Sequence, residues 1–272
     1  EKDLDLGGSA RIAALAYEPN ERLVHYLVNA VRALPIAIQL GTTANRENID
    51  TLDPDHIILA TGAKRIAPAI TGKEQRHVFD GDQLRGILLG NSPAAIAKLS
   101  ALQRLLINIG RLSQLLRNIR LMRFLSKLWM PIRREVFIIG GGLVGLELAE
   151  FLVERNRKVI VLEPGPSFGA ELSIVRRARV LHLLGEDGAE LHKSVGDLEI
   201  GAHMIRFSLD GEVQERKCTQ VIIAMGAEPD DSLLKELAGS SARIHQIGDC
   251  REVGYIDGAI LDARKLVQQM EL

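Results

Sequence analysis

The chain has 272 residues, 46% hydrophobic and 25% charged, with a formal net charge of −1; this is an ordinary globular balance with room for one large or two average domains. Nothing in it attracts nucleic acid in general, aromatics at 4% leave few platforms for stacking bases, and no apolar run approaches the roughly 18 residues of a membrane span. Cys218 and Cys250 form no CxxC pair and the seven histidines no HxxxH cluster, so reduced thiols, a cytoplasmic setting and no metal ligands are expected.

In chain order, EKDLDLGGSAR (1–11) opens on an acidic residue and reaches a glycine pair with no strand before it. DHIILATGA (55–63) reads as a buried strand ending in a small-residue turn at Thr61 and Gly62. From 83 to 134 there are ten Lys or Arg and no Asp or Glu. Leu102, Leu105, Leu106, Ile109, Leu112, Leu116 and Ile119 recur there at helical spacing. Arg104, Arg111, Arg117, Arg120 and Lys127 are left for the opposite surface. Gly110 is expected to bend or divide this helix, and Pro131 to end it. Three readings fit: a helical excursion packed on protein, a membrane-surface helix, or a docking face for an acidic partner or nucleic acid.

REVFIIGGGLVGLELAEFLVERNRKVIVLEPG carries the most chemistry. Residues 136–139 form a short buried strand, and Gly140, Gly142 and Gly145 then fit GxGxxG. Residues 143–154 continue as a helix, 158–162 as a second strand, and Glu163 ends it. In such a unit the first glycine permits the tight turn, the second lets a pyrophosphate approach, and the third lets helix and strand pack closely. The helix N-terminus offers unpaired N–H groups to the phosphates. Glu163 is placed to accept from ribose hydroxyls, and a carboxylate there repels a 2′-phosphate, which favours NADH over NADPH.

TQVIIAMGA (219–227) resembles 55–63, and Gly226 follows Gly62 by 164 positions. Glu163 follows Glu1 by 162, and each precedes a glycine, Gly169 or Gly7, by six. Two landmarks sharing nearly one offset predict an internal duplication, with Glu1 as the ribose carboxylate of a first unit. That unit is expected to lack its own strand–loop–helix–strand upstream. Near the C-terminus, RIHQIGDC predicts a strand at 243–247 and a turn at Gly248 and Asp249, which can set a carboxylate and an N–H beside a cofactor's sugar chain. His245 and Cys250 beside it are read as a packed histidine and a buried thiol.

In order, EKDLDLGG, ILATGA, GGGLVGLELAEFL, AMGAEPD and IGDC resemble the C-terminal half of the 2,4-dienoyl-CoA reductase, trimethylamine dehydrogenase and 2-enoate reductase group. These are old-yellow-enzyme-like NADH:flavin oxidoreductases. The resemblance covers nearly the whole chain, including the helical connection that ends LWMP. It implies an α/β protein of two Rossmann-like domains, the NAD domain inserted in an FAD domain that lacks its first strand–loop–helix–strand. The expected division is 1–82 and 241–272 for FAD, 83–134 for the connection, and 135–240 for NAD(P).

By position the resemblance implies FAD contacts at Glu1, Gly8, Thr61, Gly62, Gly248 and Asp249, with Arg11 as a weaker candidate. It implies an NAD(P)H site at Gly140, Gly142, Gly145, Glu163 and Gly226. It also implies an N-terminal TIM-barrel partner domain carrying FMN and a [4Fe–4S] cluster, where the small-molecule substrate would react. No residue of this chain is expected to act as acid, base or nucleophile, since the cofactors carry the redox chemistry. The absence of a CxxxxC pair argues against disulfide reduction. The expected function is NADH-dependent electron input to an enoyl-type reductase. A self-contained NADH dehydrogenase or oxidase passing electrons to quinone, ferredoxin or oxygen is the alternative, as is a non-catalytic dinucleotide module.

Overall fold

Side chains alternate between the two faces of a strand, so a strand whose every residue is buried must be covered on both sides. Val136, Phe137, Ile138 and Ile139 are each at most 1% exposed and set the plan of the fold around them. The structure is a computed structural model describing residues 1–90, 92–112 and 118–270.

Helices α1 (Gly8–Ala16), α2 (Glu18–Arg32) and α3 (Arg46–Asp50) precede strands β1 (His56–Leu59) and β2 (Ala63–Arg65). Strand β3 (Val78–Asp80) leads into α4 (Gly81–Leu89), α5 (Pro93–Ala97), α6 (Ala101–Leu112) and α7 (Ile119–Leu128). Then β4 (Glu135–Ile139), α8 (Leu143–Val153), β5 (Lys158–Glu163), α9 (Ile174–Glu186) and β6 (Glu190–Lys193) alternate. Strands β7 (Gly196–Ile200), β8 (Met204–Leu209), β9 (Glu212–Lys217), β10 (Val221–Ile223) and β11 (Ala227–Pro229) follow. Helix α10 (Ser232–Glu236), β12 (Arg243–Gln246) and α11 (Tyr255–Gln269) complete the order.

The chain divides into two compact units. An inserted unit comprises Arg11–Glu21 and Ala67–Gly226; a flanking unit comprises Glu1–Ala10, Arg22–Ile66 and Ala227–Leu272. The inserted unit holds a five-stranded sheet in the order β3-β10-β4-β5-β6, parallel throughout. On one face Val136, Ile138, Val159 and Val161 pack with Leu146, Ala149 and Leu152 of α8 and Leu184 of α9. On the other, Phe137, Ile139, Ile160 and Leu162 pack with Ile200, Ile205 and Phe207 of the antiparallel β7-β8-β9 sheet. Each such side chain contributes roughly 1.5–3 kcal/mol on burial. Strand β4 lies between β5 and β10 and runs at its C-terminal end into the glycine turn; in open α/β sheets ligands bind outside the C-terminal ends of the strands.

The units part at 66/67 and 226/227, not at the expected 82/83 and 240/241. Pairing of β3 with β10, Val78↔Val221 to Asp80↔Ile223, draws residues 67–82 to the inserted unit. Pairing of β2 with β11, Ala63↔Pro229 and Arg65↔Ala227, draws 227–240 to the flanking one. Nor is 83–134 a separate body, because Leu84, Met122, Met130 and Ile132 are buried in the core beneath α8.

Helix α6 runs through Gly110 without breaking, and α7 stops at Leu128, short of Pro131. Leu116 and Arg117 lie outside the described residues. Of the apolar stripe, Leu102, Leu105, Ile109 and Leu112 are all at least 51% exposed, whereas Ile119 packs against the core beneath α8. Ile107 instead joins Phe79, Ile87, Ala95 and Leu99 in a small cluster, which takes one side chain from the helix.

In the flanking unit β1 and β12 pair in parallel, His56↔Arg243 to Leu59↔Gln246. Ile57, Leu59, Leu233, Leu237 and Cys250 form its core. No helix among the described residues is long and apolar enough to cross a membrane.

Candidate functional site

The glycine loop stands at the C-terminal end of β4. Gly140 donates its N–H to the Leu162 carbonyl at 2.8 Å, which ties the turn to β5. Gly142 caps α8 without a side chain, leaving the first-turn N–H groups of that helix open to an acceptor from elsewhere. Gly145 is buried, and a Cβ there would collide with the Gly140 carbonyl oxygen, so only glycine lets α8 start this close to β4. Gly226 joins the same edge: Ala224 N–H bonds the Ile139 carbonyl at 2.8 Å, and a Cβ on Gly140 would lie 3.0 Å from that of Met225.

Glu163 closes the loop from β5. Its Oε2 accepts from Gly141 N–H and its Oε1 from Gly165 N–H, both at 2.5 Å. These bonds hold the carboxylate at the strand end, where a ribose would meet it. The structure thus brings Gly140, Gly142, Gly145, Glu163 and Gly226 to one edge of the inserted unit.

Several neighbours of the loop escaped the motif. Glu171 places Oε2 3.3 Å from Leu143 N–H. Phe168 covers Gly141, where a Cβ would strike its ring. Glu147 on α8 pairs with Arg176, whose guanidinium lies 4.3 Å over the Tyr17 ring. Burial pushes the Glu147 carboxyl above its ordinary value, against the pull of Arg176. Glu147 and Glu171 are visible as acids within GGGLVGLELAE and EPGPSFGAEL, but only folding pairs Glu147 with Arg176 and brings Glu171 to the loop.

The flanking unit repeats one part of this arrangement. Glu1 Oε1 accepts from Asp3 N–H at 3.0 Å, two residues on, as Glu163 Oε1 does from Gly165. The Glu1 and Asp3 carbonyls accept from Thr42 and Gly41 N–H, each at 3.0 Å. The Glu163 and Gly165 carbonyls accept likewise from Val195 and Ser194 N–H, at 3.0 and 2.9 Å. Gly41 and Ser194 are both left-handed, at φ 67° and 55°. Two carboxylates therefore sit in the same local frame. Gly62 and Gly226, after the two similar strands, also match at φ 82° and 81°, a conformation that glycine alone adopts freely.

Because β1 and β12 run parallel, the Thr61–Gly62 and Gly248–Asp249 turns share one end of that pair, where Ile247 N–H bonds the Leu59 carbonyl at 3.0 Å. Thr61 Oγ1 donates to the Asp230 carbonyl at 3.2 Å. Asp249 Oδ1 accepts from Gly254 and Tyr255 N–H at 3.0 and 2.9 Å, so that oxygen serves the start of α11. Gly248 N–H donates to Asp262 Oδ2 at 3.0 Å. Both groups offered for a sugar chain or phosphate thus already have protein partners. Glu1 and Gly8, which opens α1, belong instead to the segment bonded to residues 41–42. Arg11 falls in the stretch grouped with the inserted unit.

His245 stacks on His56 at 5.3 Å between centroids, and the buried Cys250 thiol donates to the Leu59 and Ile247 carbonyls at 3.2 Å each. Cys218 is 1% exposed, and burial pushes its thiol up to about 11. Both cysteines are unpaired, and no metal-holding cluster occurs among the described residues. What the loop edge offers chemically is the N–H groups of a helix N-terminus beside the carboxylates of Glu163 and Glu171.

Residues 21–248 match the family profile described as pyridine nucleotide-disulphide oxidoreductase. Bilirubin reductase of Mediterraneibacter gnavus (strain CC55_001C) is 28% identical over 258 residues, covering 93% of this chain and 33% of that protein. NADH oxidase of Thermoanaerobacter brockii is 24% identical over 277 residues, covering 99% of this chain and 36% of that one. Among solved structures, a 2-naphthoyl-CoA reductase complexed with 2-naphthoyl-CoA shares the fold with a TM-score of 0.77 at 22% identity, over 97% of this chain and 34% of the other. The chain spans about a third of the length of each.

Proposed function

The chain belongs to the pyridine nucleotide-disulphide oxidoreductase family, and on that premise we propose that it binds NADH in its inserted unit and FAD in its flanking unit, as the electron-input part of a larger reductase. Family membership makes it an NAD(P)H flavoprotein oxidoreductase; the choice of nucleotide, the residues and the onward partner are the proposal. The observation that carries it is the repeated carboxylate frame at Glu163 and Glu1, one such frame for each nucleotide.

The inserted unit fits a dinucleotide. Gly142 brings no capping side chain of its own to the α8 N-terminus, whose N–H groups suit a pyrophosphate, Glu163 offers oxygens to ribose hydroxyls, and Gly226 borders the same edge. The Glu163 charge disfavours a 2′-phosphate, so NADH is the nucleotide. In the flanking unit Glu1, Gly8, Thr61, Gly62, Gly248 and Asp249 would line FAD. Gly62 suits this, being left-handed with nothing within 4 Å of its missing Cβ. When bound, the cofactors supply hydride transfer from nicotinamide to flavin and electron flow to FMN and a [4Fe–4S] cluster in a barrel domain acting on an enoyl-type or related substrate. This chain's residues hold and align them.

The relative named NADH oxidase favours a second reading, in which the same units deliver electrons directly to oxygen or another small acceptor. Reconstitution with FAD followed by anaerobic NADH addition tests the shared core. The visible flavin band should bleach with NADH, and about tenfold less readily with NADPH. A flavin-loaded chain that binds NADH without bleaching would be a non-catalytic module, and the proposal would fall.

A further inference from the structure

The segment between β5 and α9 folds back over the glycine loop. Gly169 N–H donates to the Gly141 carbonyl at 2.7 Å. Phe168, 9% exposed, packs where a Gly141 Cβ would otherwise stand. Three residues further on, Glu171 reaches the start of α8: its Oε2 takes the Leu143 N–H at 3.3 Å, and its Oε1 lies 2.8 Å from where a Gly142 Cβ would be. The N-terminus of α8, whose own cap has no side chain, is therefore met by a carboxylate from this segment.

We infer that Glu171 is an internal competitor for the pyrophosphate of the dinucleotide, a carboxylate gate that must leave the α8 N-terminus before the ligand can bind. The inference rests on the NAD reading of the inserted unit. A carboxylate and a phosphate satisfy the same N–H groups and the same helix dipole, and they repel one another, so both cannot hold the slot. Phe168 and Gly169 are buried and anchor the segment. Glu171, by contrast, is exposed to solvent.

At the same 162-residue offset that relates Glu163 to Glu1, Glu171 corresponds to Ser9, which carries no charge.

Isothermal titration of the chain with ADP-ribose, NADH and adenosine tests this, using wild type, Glu171→Gln and Glu171→Ala. Removing the charge should tighten ADP-ribose and NADH by about two- to tenfold. Adenosine, which has no phosphate, should bind all three proteins alike. Unchanged thermal melts, expected of an exposed residue, confirm that the variants fold. Wild-type binding of ADP-ribose with equal or weaker binding by the variants overturns the gate while leaving the NAD reading intact. Failure of every protein to bind ADP-ribose or NADH overturns both.

Discussion

The Cβ that Gly145 lacks would fall on the carbonyl oxygen of Gly140, so the third glycine of the motif is fixed by backbone packing before any ligand is considered. Neither atom belongs to a flexible side chain, so Gly145→Ala must push α8 away from β4. A cost of about 1–3 kcal/mol is expected, with NADH affinity falling at least about tenfold as the N–H groups shift. Gly185 of α9 is the control, since nothing lies within 4 Å of its missing Cβ. Gly185→Ala should be neutral, or stabilise by about 0.5–1 kcal/mol through helix propensity. Thermal melts and NADH titrations of the two variants provide the comparison.

Glu163 holds two N–H groups and is proposed to hold a ribose as well, so its removal separates structure from selectivity. Glu163→Ala leaves Gly141 and Gly165 N–H without their acceptor and should destabilise by about 1–3 kcal/mol. It should also raise the KM for NADH about tenfold while narrowing the preference over NADPH, because the charge that repels a 2′-phosphate is gone. Steady-state kinetics with both nucleotides decide it; an unchanged preference would remove Glu163 from the ribose site.

What the sequence could show was local. The helix expected at 143–154 is Leu143–Val153, and the strand expected at 158–162 is Lys158–Glu163, because turn, cap and periodicity lie within one short window. The β8–β9 hairpin went unread although Asp210–Gly211, both left-handed at φ 51° and 83°, is a strong turn signal. The unit boundaries were not legible, since they depend on β3 pairing with β10 across some 140 residues. The same holds for Glu171: its identity is in the sequence, but its place at α8 follows from how the segment after β5 packs on Gly141.

Helix α6 offers a stability test of that kind. Its periodic leucines form an apolar stripe, in which Leu105 and Leu112 are 55% and 79% exposed, while Ile107 off that stripe is 5% exposed. Leu105→Ser and Leu112→Ser should each cost about 0.5 kcal/mol or less. Ile107→Ala, which empties a place beside Phe79 and Leu99, should cost about 2–4 kcal/mol. Urea denaturation of the three variants would reveal the order, and a reversal would mean that the leucine stripe is covered in solution.

Asp262 ties the Gly248–Asp249 turn to α11. It is 8% exposed, accepts from Gly248 N–H at 3.0 Å, and takes Arg251 through Nε and Nη2 at 2.9 and 2.6 Å. The Arg251 hydrogen bonds hold its carboxyl below the ordinary value of 3.8, against desolvation. A carboxyl lowered on folding takes up its proton later in the folded chain than in the unfolded one. Its stabilisation is therefore complete above the ordinary value and is lost as pH falls through the lowered one. Asp262→Asn should melt earlier than wild type at neutral pH, and the difference should shrink on acidification. The variant should also retain FAD less well at neutral pH, because Gly248 is no longer held by a charged acceptor. Melting curves across the acid range would show the two proteins converging; a constant gap would mean that Asp262 stabilises the turn by packing and not by its charge.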